Sequence, residues 1–108
     1  HLGLVHAGLV CESEGVGRDM LASVLVDSLP SDAEEIAHLG DALQRDEFSD
    51  PGASIDVYSN ILDRILSQAA DRGIDDRIPA FANRLYKAGV DAGIGDQEVV
   101  ALIKLLRR

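Results

Sequence analysis

Residues 35 to 38 read Glu-Ile-Ala-His, and a glutamate three positions ahead of a histidine puts two metal ligands on one face of a helix. A paired-metal site needs that motif twice, with two further inward glutamates. The sequence carries it once, so no metal is expected. His6 lies in an apolar stretch, where a histidine is ordinarily a core residue with one ring nitrogen satisfied rather than a base. Cys11, the only cysteine, has no partner for an intramolecular disulfide and follows Leu9 and Val10, which predicts a buried, inert thiol. Gly89, Gly93 and Gly95 precede Asp96, but they lack both a preceding strand and the Gly-x-Gly-x-x-Gly spacing of a phosphate cradle. No nucleophile has a credible base, so no catalytic residue is expected in this chain.

Helices must position whatever these residues do. The 108 residues are 46% hydrophobic but only 4% aromatic, with no Trp, so the core must be built from Leu, Ile, Val and Ala. That composition suits an all-α bundle of about six helices, folded as a single domain over residues 1 to 108. The first, to Glu14, is apolar around nearly its whole circumference until Glu12, as in a helix enclosed by others, and Gly15 stops it. His1 and Leu2 offer no cap, so the sequence reads as starting inside a longer helix, a piece of a larger chain. Residues 18 to 29 form a second helix, ended by Pro30. Ser31-Asp32-Ala33-Glu34 then reads as a capping box that starts a third, running to about Phe48.

In the fourth helix Ile55, Tyr58, Ile61, Leu62, Ile65, Leu66 and Ala69 recur at steps of three and four, giving one apolar face that ends at Gly73. Pro79 suits the first turn of a fifth, which carries Phe81, Ala82, Leu85 and Tyr86. Asp96 is expected to cap a sixth with Val99, Leu102, Ile103 and Leu106 as its stripe. Val100 and Leu105 fall outside that stripe and suggest a second buried face, such as a subunit contact.

Charge narrows the partners. The net charge is −9 and the ten Lys and Arg are scattered singly, which excludes the basic stripe that nucleic acid or an anionic membrane surface requires. Between Ser31 and Asp50 seven acidic residues stand against one Arg, a solvated helix face. No apolar run approaches the roughly 20 residues that span a bilayer, and the start lacks the basic residues of a signal peptide. A soluble, cytoplasmic protein is expected.

Two resemblances carry further. Asp27-Ser28-Leu29 in a small acidic helical protein resembles the phosphopantetheine-bearing triplet of acyl carrier proteins. In carriers, however, the serine opens a helix, whereas Ser28 is expected to close one. A non-catalytic acidic helical interaction or dimerisation module is the other alternative. The stronger resemblance rests on three collinear stretches. GLVHAGLVCESEG (3 to 15) resembles the end of the long interdomain helix of NADPH-dependent imine reductases and reductive aminases. DPGASIDVYSNILDRILSQAADRGID (50 to 75) resembles their helix after a Pro-Gly turn, and IPAFANRLYKAGVDAGIGDQEVVALIKLLR (78 to 107) is similar to their last two helices.

The resemblance implies the C-terminal dimerisation domain of an enzyme like the β-hydroxyacid and 6-phosphogluconate dehydrogenases, whose N-terminal Rossmann domain would lie upstream. NADPH would be bound by that absent domain and by the dimer partner, with an imine or carbonyl compound as substrate. The family's Asp or Tyr proton donor would precede His1, so these 108 residues alone are expected to be inactive. Two residues in the first turn of the family's corresponding helix, often Met-Gln, face the substrate beside the partner subunit's nicotinamide. Here they are Val57 and Tyr58, and Tyr58 would place a phenol where the family has an amide. Tyr58 is also three residues from both Ile55 and Ile61, so a role in the core stripe stays open.

Overall fold

The computed structural model describes residues 1 to 107, apart from the side chain of Arg18. Five α-helices and one 3-10 turn follow in order: α1 Leu2–Glu14, α2 Arg18–Arg45, α3 Ile55–Arg72, α4 Arg77–Asp91, the turn Val99–Leu102 and α5 Ile103–Leu106. Among the described residues there is no strand, only an isolated antiparallel bridge between Ser54 and Glu98. The all-α class read from the sequence is the class observed.

Where the sequence suggested two helices either side of Pro30, the structure has one, α2, with the proline inside it. Proline removes one backbone donor and crowds the preceding turn, at about 3 kcal/mol in a helix interior. Stopping and nucleating again carries its own entropic cost, since a first turn fixes several dihedrals for one hydrogen bond. Val26 and Pro30 are both exposed, so water has access to the turn that loses the bond. Ser31 and Glu34 consequently lie in mid-helix, and no free helix start exists for a capping box to serve. Ser28 does not close a helix either. Its hydroxyl donates to the Leu25 carbonyl at 2.8 Å and to Asp32 Oδ2 at 3.0 Å.

α3 and α4 form the best-packed pair. Gly73, at φ +64°, turns the chain, and Ile74 N donates to the Ala69 carbonyl at 2.9 Å. Pro79 falls in the first turn of α4, as its missing donor favours. A polar seam locks the pair: Ser59 Oγ donates to Asn83 Oδ1 at 3.2 Å, and Asn83 Nδ2 donates to Asp63 Oδ1 at 2.8 Å. That second bond, helped by Lys87, holds the Asp63 carboxyl below its ordinary range.

The hydrophobic centre is small. Phe48, Ile55 and Ala101 form it, with Ala42, Tyr86, Ile94, Val100, Leu102 and Ile103 packed around them. It therefore sits where the end of α2, the start of α3, the end of α4 and the C-terminal segment converge. The C-terminal segment begins as a 3-10 turn, whose period of three residues brings Val100 onto the core instead of onto a second face. Asp96 does not cap it; Glu98 does, its carboxylate accepting from Val99 N.

Beyond that centre the molecule is open. Its radius of gyration is 15.3 Å, against about 13 Å for a compact domain of this length. The 28 residues of α2 account for much of this, because at 1.5 Å per residue they reach about 42 Å, close to the longest dimension of 43 Å. α1 is not enclosed as its composition suggested: Leu2, Leu4 and Val5 are exposed. Along α2 so are Met20, Val24, Leu25, Val26, Leu29 and Ile36.

Candidate functional site

The Asp50-Pro51-Gly52 turn delivers the chain to α3, and the segment before the 3-10 turn runs alongside it. Ile55 N donates to the Gln97 carbonyl at 3.0 Å, Asp56 N to Gly95 at 2.9 Å, and Glu98 N to Phe48 at 2.8 Å. These bonds fix the first turn of α3, from which Val57 and Tyr58 project. Val57 N further donates to the Asp56 carboxylate at 2.8 Å, and the Ser54 hydroxyl bonds the same oxygen.

Val57 is 43% exposed. Tyr58 is half-buried and stacks on Tyr86 with ring centroids 5.7 Å apart. Burial pushes the Tyr58 phenol above its ordinary value, and the carboxylates of Glu35 and Glu98 push the same way. The phenol thus keeps its proton at neutral pH and offers a hydrogen-bond donor at the edge of an aromatic pair. The structure places the two residues that the sequence singled out side by side on an open first turn, with Tyr58 also packed on its neighbour.

Beneath them lies a residue that the sequence reading missed. Glu98 is 1% exposed, and its carboxylate has three donors: His38 Nε2 at 2.8 Å, Gly52 N at 3.1 Å and Val99 N at 3.0 Å. The readable signal was an acid immediately before the apolar run Val99-Val100-Ala101-Leu102, an N-cap position. Two of its three partners are 46 and 60 residues away, beyond any local pattern. His38, singled out as half of a metal-spaced pair, is instead bonded to this carboxylate. That bond holds its imidazole above the ordinary value of 6.5, with the charges of Glu98, Glu35 and Asp50 adding to it and burial opposing. Among the described residues no cluster of three or more His, Cys, Asp or Glu could hold a metal ion.

Two further expectations need correction. His6 is buried, but neither ring nitrogen has a partner among the described residues, because α3 and α4 present mainly apolar side chains to it. Cys11 is half-buried rather than sealed. Both line a groove of about 630 Å³ between α1 and the α3–α4 pair, together with Val10, Leu62, Ile65 and Phe81.

No described helix is long and apolar enough to cross a membrane. No curated protein sequence matches the chain. Among solved structures, an imine reductase variant from Myxococcus stipitatus in complex with NAD+ superposes with a TM-score of 0.90 at 16% identity, over 98% of this chain and 38% of that one. A reductive aminase from Aspergillus terreus, in complex with NADPH4, cyclohexanone and allyl amine, gives 0.89 at 18%, over 98% and 38%. An imine reductase from a Pseudomonas species gives 0.82 at 16%, over 98% and 37%. The chain thus spans well under half the length of these enzymes, and at such identities the likeness establishes the fold, an all-helical domain. Over residues 1–108 the sequence also matches the family model of the C-terminal domain of NADPH-dependent reductive aminase-like proteins. The chain belongs to that family and forms its C-terminal domain.

Proposed function

We propose that these residues are the dimerisation and substrate-wall portion of a cytoplasmic NADPH-dependent oxidoreductase that reduces imines, or carbonyl compounds together with amines. NADPH, which supplies a hydride when bound, would be held by a Rossmann domain outside these 108 residues and by the dimer partner. The chain itself contributes shape: an apolar wall with a few polar groups, which orients a substrate and keeps water away.

The observation that carries this reading is the run of large apolar side chains left bare along α1 and α2. Ile36 is 69% exposed and Leu2 68%. Apolar residues scattered singly on a surface need no explanation, but so many large ones left bare on two helices favour an interface. A second copy laid against it would convert the open shell into an enclosed one, with a symmetric, self-complementary contact. Val57 and Tyr58 then line the enclosed space, where the Tyr58 phenol donates to a polar atom of the substrate.

The test is Tyr58→Ala in the enzyme that contains this domain, assayed with NADPH against a panel of imines and of ketone and amine pairs. The substrate range should change more than the thermal midpoint. Loss of folding with an unchanged range among the surviving molecules would make Tyr58 a core residue and end the pocket assignment.

A further inference from the structure

A fully buried carboxylate persists only when donors replace the water it has lost. The donors on Glu98 come from three separate parts of the chain: His38 on α2, Gly52 in the turn before α3, and Val99 at the start of the C-terminal segment. The backbone of the same residue bonds Phe48 and pairs in an isolated antiparallel bridge with Ser54, the N-cap of α3. Tyr58 is one turn further on, its amide donating to the Ser54 carbonyl at 3.1 Å. The Gln97 carbonyl, next to Glu98, accepts from Ile55 N at 3.0 Å, so a shift of the Glu98 segment is passed to the first turn of α3, which carries Tyr58.

We propose that Glu98 and His38 are positioning residues for the wall that carries Val57 and Tyr58: the imidazole fastens α2 to the same carboxylate that fixes the turn before α3 and the start of the last helix. The inference rests on the reading that Tyr58 borders the substrate; neither Glu98 nor His38 touches it. The groups around His38 favour its charged form. Glu35, Asp41 and Arg45 stand on its own helix, Glu47 and Asp50 on the loop that follows, and Glu98 on the C-terminal segment. Five carboxylates thus face it against one guanidinium. Because the folded-state value of His38 lies above its ordinary 6.5, the link is fully present below 6.5 and is lost as pH rises through the raised value. The position of the wall then depends on pH above 6.5.

The experiment follows the His38 ring and the backbone amides of Gly52, Val99 and Tyr58 by NMR across pH in the 108-residue chain. All should move in one transition with a midpoint above 6.5, and Glu98→Gln should lower the His38 midpoint. A Tyr58 amide indifferent to that transition, or a native midpoint at or below 6.5, overturns the proposal. His38→Gln, at a half-exposed position, keeps the test decisive if Glu98→Gln does not fold. An amide donor remains there, yet the shared transition should vanish; its persistence overturns the proposal equally. The titration needs neither NADPH nor substrate, so its failure leaves the reductase assignment standing, and failure of the Tyr58→Ala assay leaves the coupling standing.

Discussion

Gly89 offers a stability test in which two effects of known sign compete. A glycine inside a helix costs about 0.5–1 kcal/mol relative to alanine, so Gly→Ala at an open position should stabilise by that amount. Gly40, within α2, is such a position, with no atom within 4 Å of an added Cβ. At Gly89 the same methyl would stand 2.9 Å from Leu102 Cδ2 and 3.1 Å from Ile55 Cγ2. The leucine end can swing away. Ile55 cannot, because its β-branch is stiff and the side chain is 0% exposed within the core. Overpacking of that kind costs about 1–3 kcal/mol, which exceeds the propensity gain. Gly89→Ala should therefore be destabilised by about 1 kcal/mol and Gly40→Ala stabilised by nearly as much. The gap of about 2 kcal/mol corresponds to about 8 °C in Tm for a domain of this size. Thermal unfolding at one fixed protein concentration, which holds any association constant, provides the measurement. If Gly89→Ala matches or exceeds Gly40→Ala, the close approach of α4 to α3 and the C-terminal segment is wrong.

Further expectations concern the candidate site and the open face. Glu98→Ala strips three donors of their acceptor and should cost about 3 kcal/mol or more in urea unfolding; a loss under about 1 kcal/mol would mean that the buried network is not formed. The native chain should be more stable than His38→Gln at pH 5.5, and the difference should shrink as pH rises through the raised His38 value, read from urea midpoints at each pH. A difference that grows toward alkaline pH would contradict the ion pair. Ile36→Glu, on the bare face of α2, should weaken self-association measured by sedimentation while leaving the helical circular dichroism intact; undiminished association would place the contact elsewhere.

Local patterns made the middle of the molecule legible. The helical period of α3, the stops at Gly15 and Gly73 and the early proline of α4 are each decided within one or two turns and appear where the sequence puts them, although Ile61, expected on the apolar face of α3, is exposed. Pro30 does not end the helix, because its penalty is local whereas the cost of breaking and restarting a helix is not. Val100 packs on the core because the residues around it wind as a 3-10 turn and not with the α-helical period that the sequence suggests. The site divides along the same line. Val57 and Tyr58 came from a resemblance over a continuous stretch, while Glu98 gains its meaning only from Gly52 and His38, which the fold alone brings to it. His6 shows the converse: its apolar surroundings were legible, but its lack of a hydrogen-bond partner depends on what α3 and α4 present to it.

Multi-angle light scattering of the 108-residue chain addresses the central claim most directly, namely that these helices are one half of a shared shell whose bare apolar faces close on a second copy. With one chain at 11.5 kDa, a mass of about 23 kDa, twice that value, is expected at micromolar concentration and above. A mass that stays at 11.5 kDa up to the highest attainable concentration would contradict it.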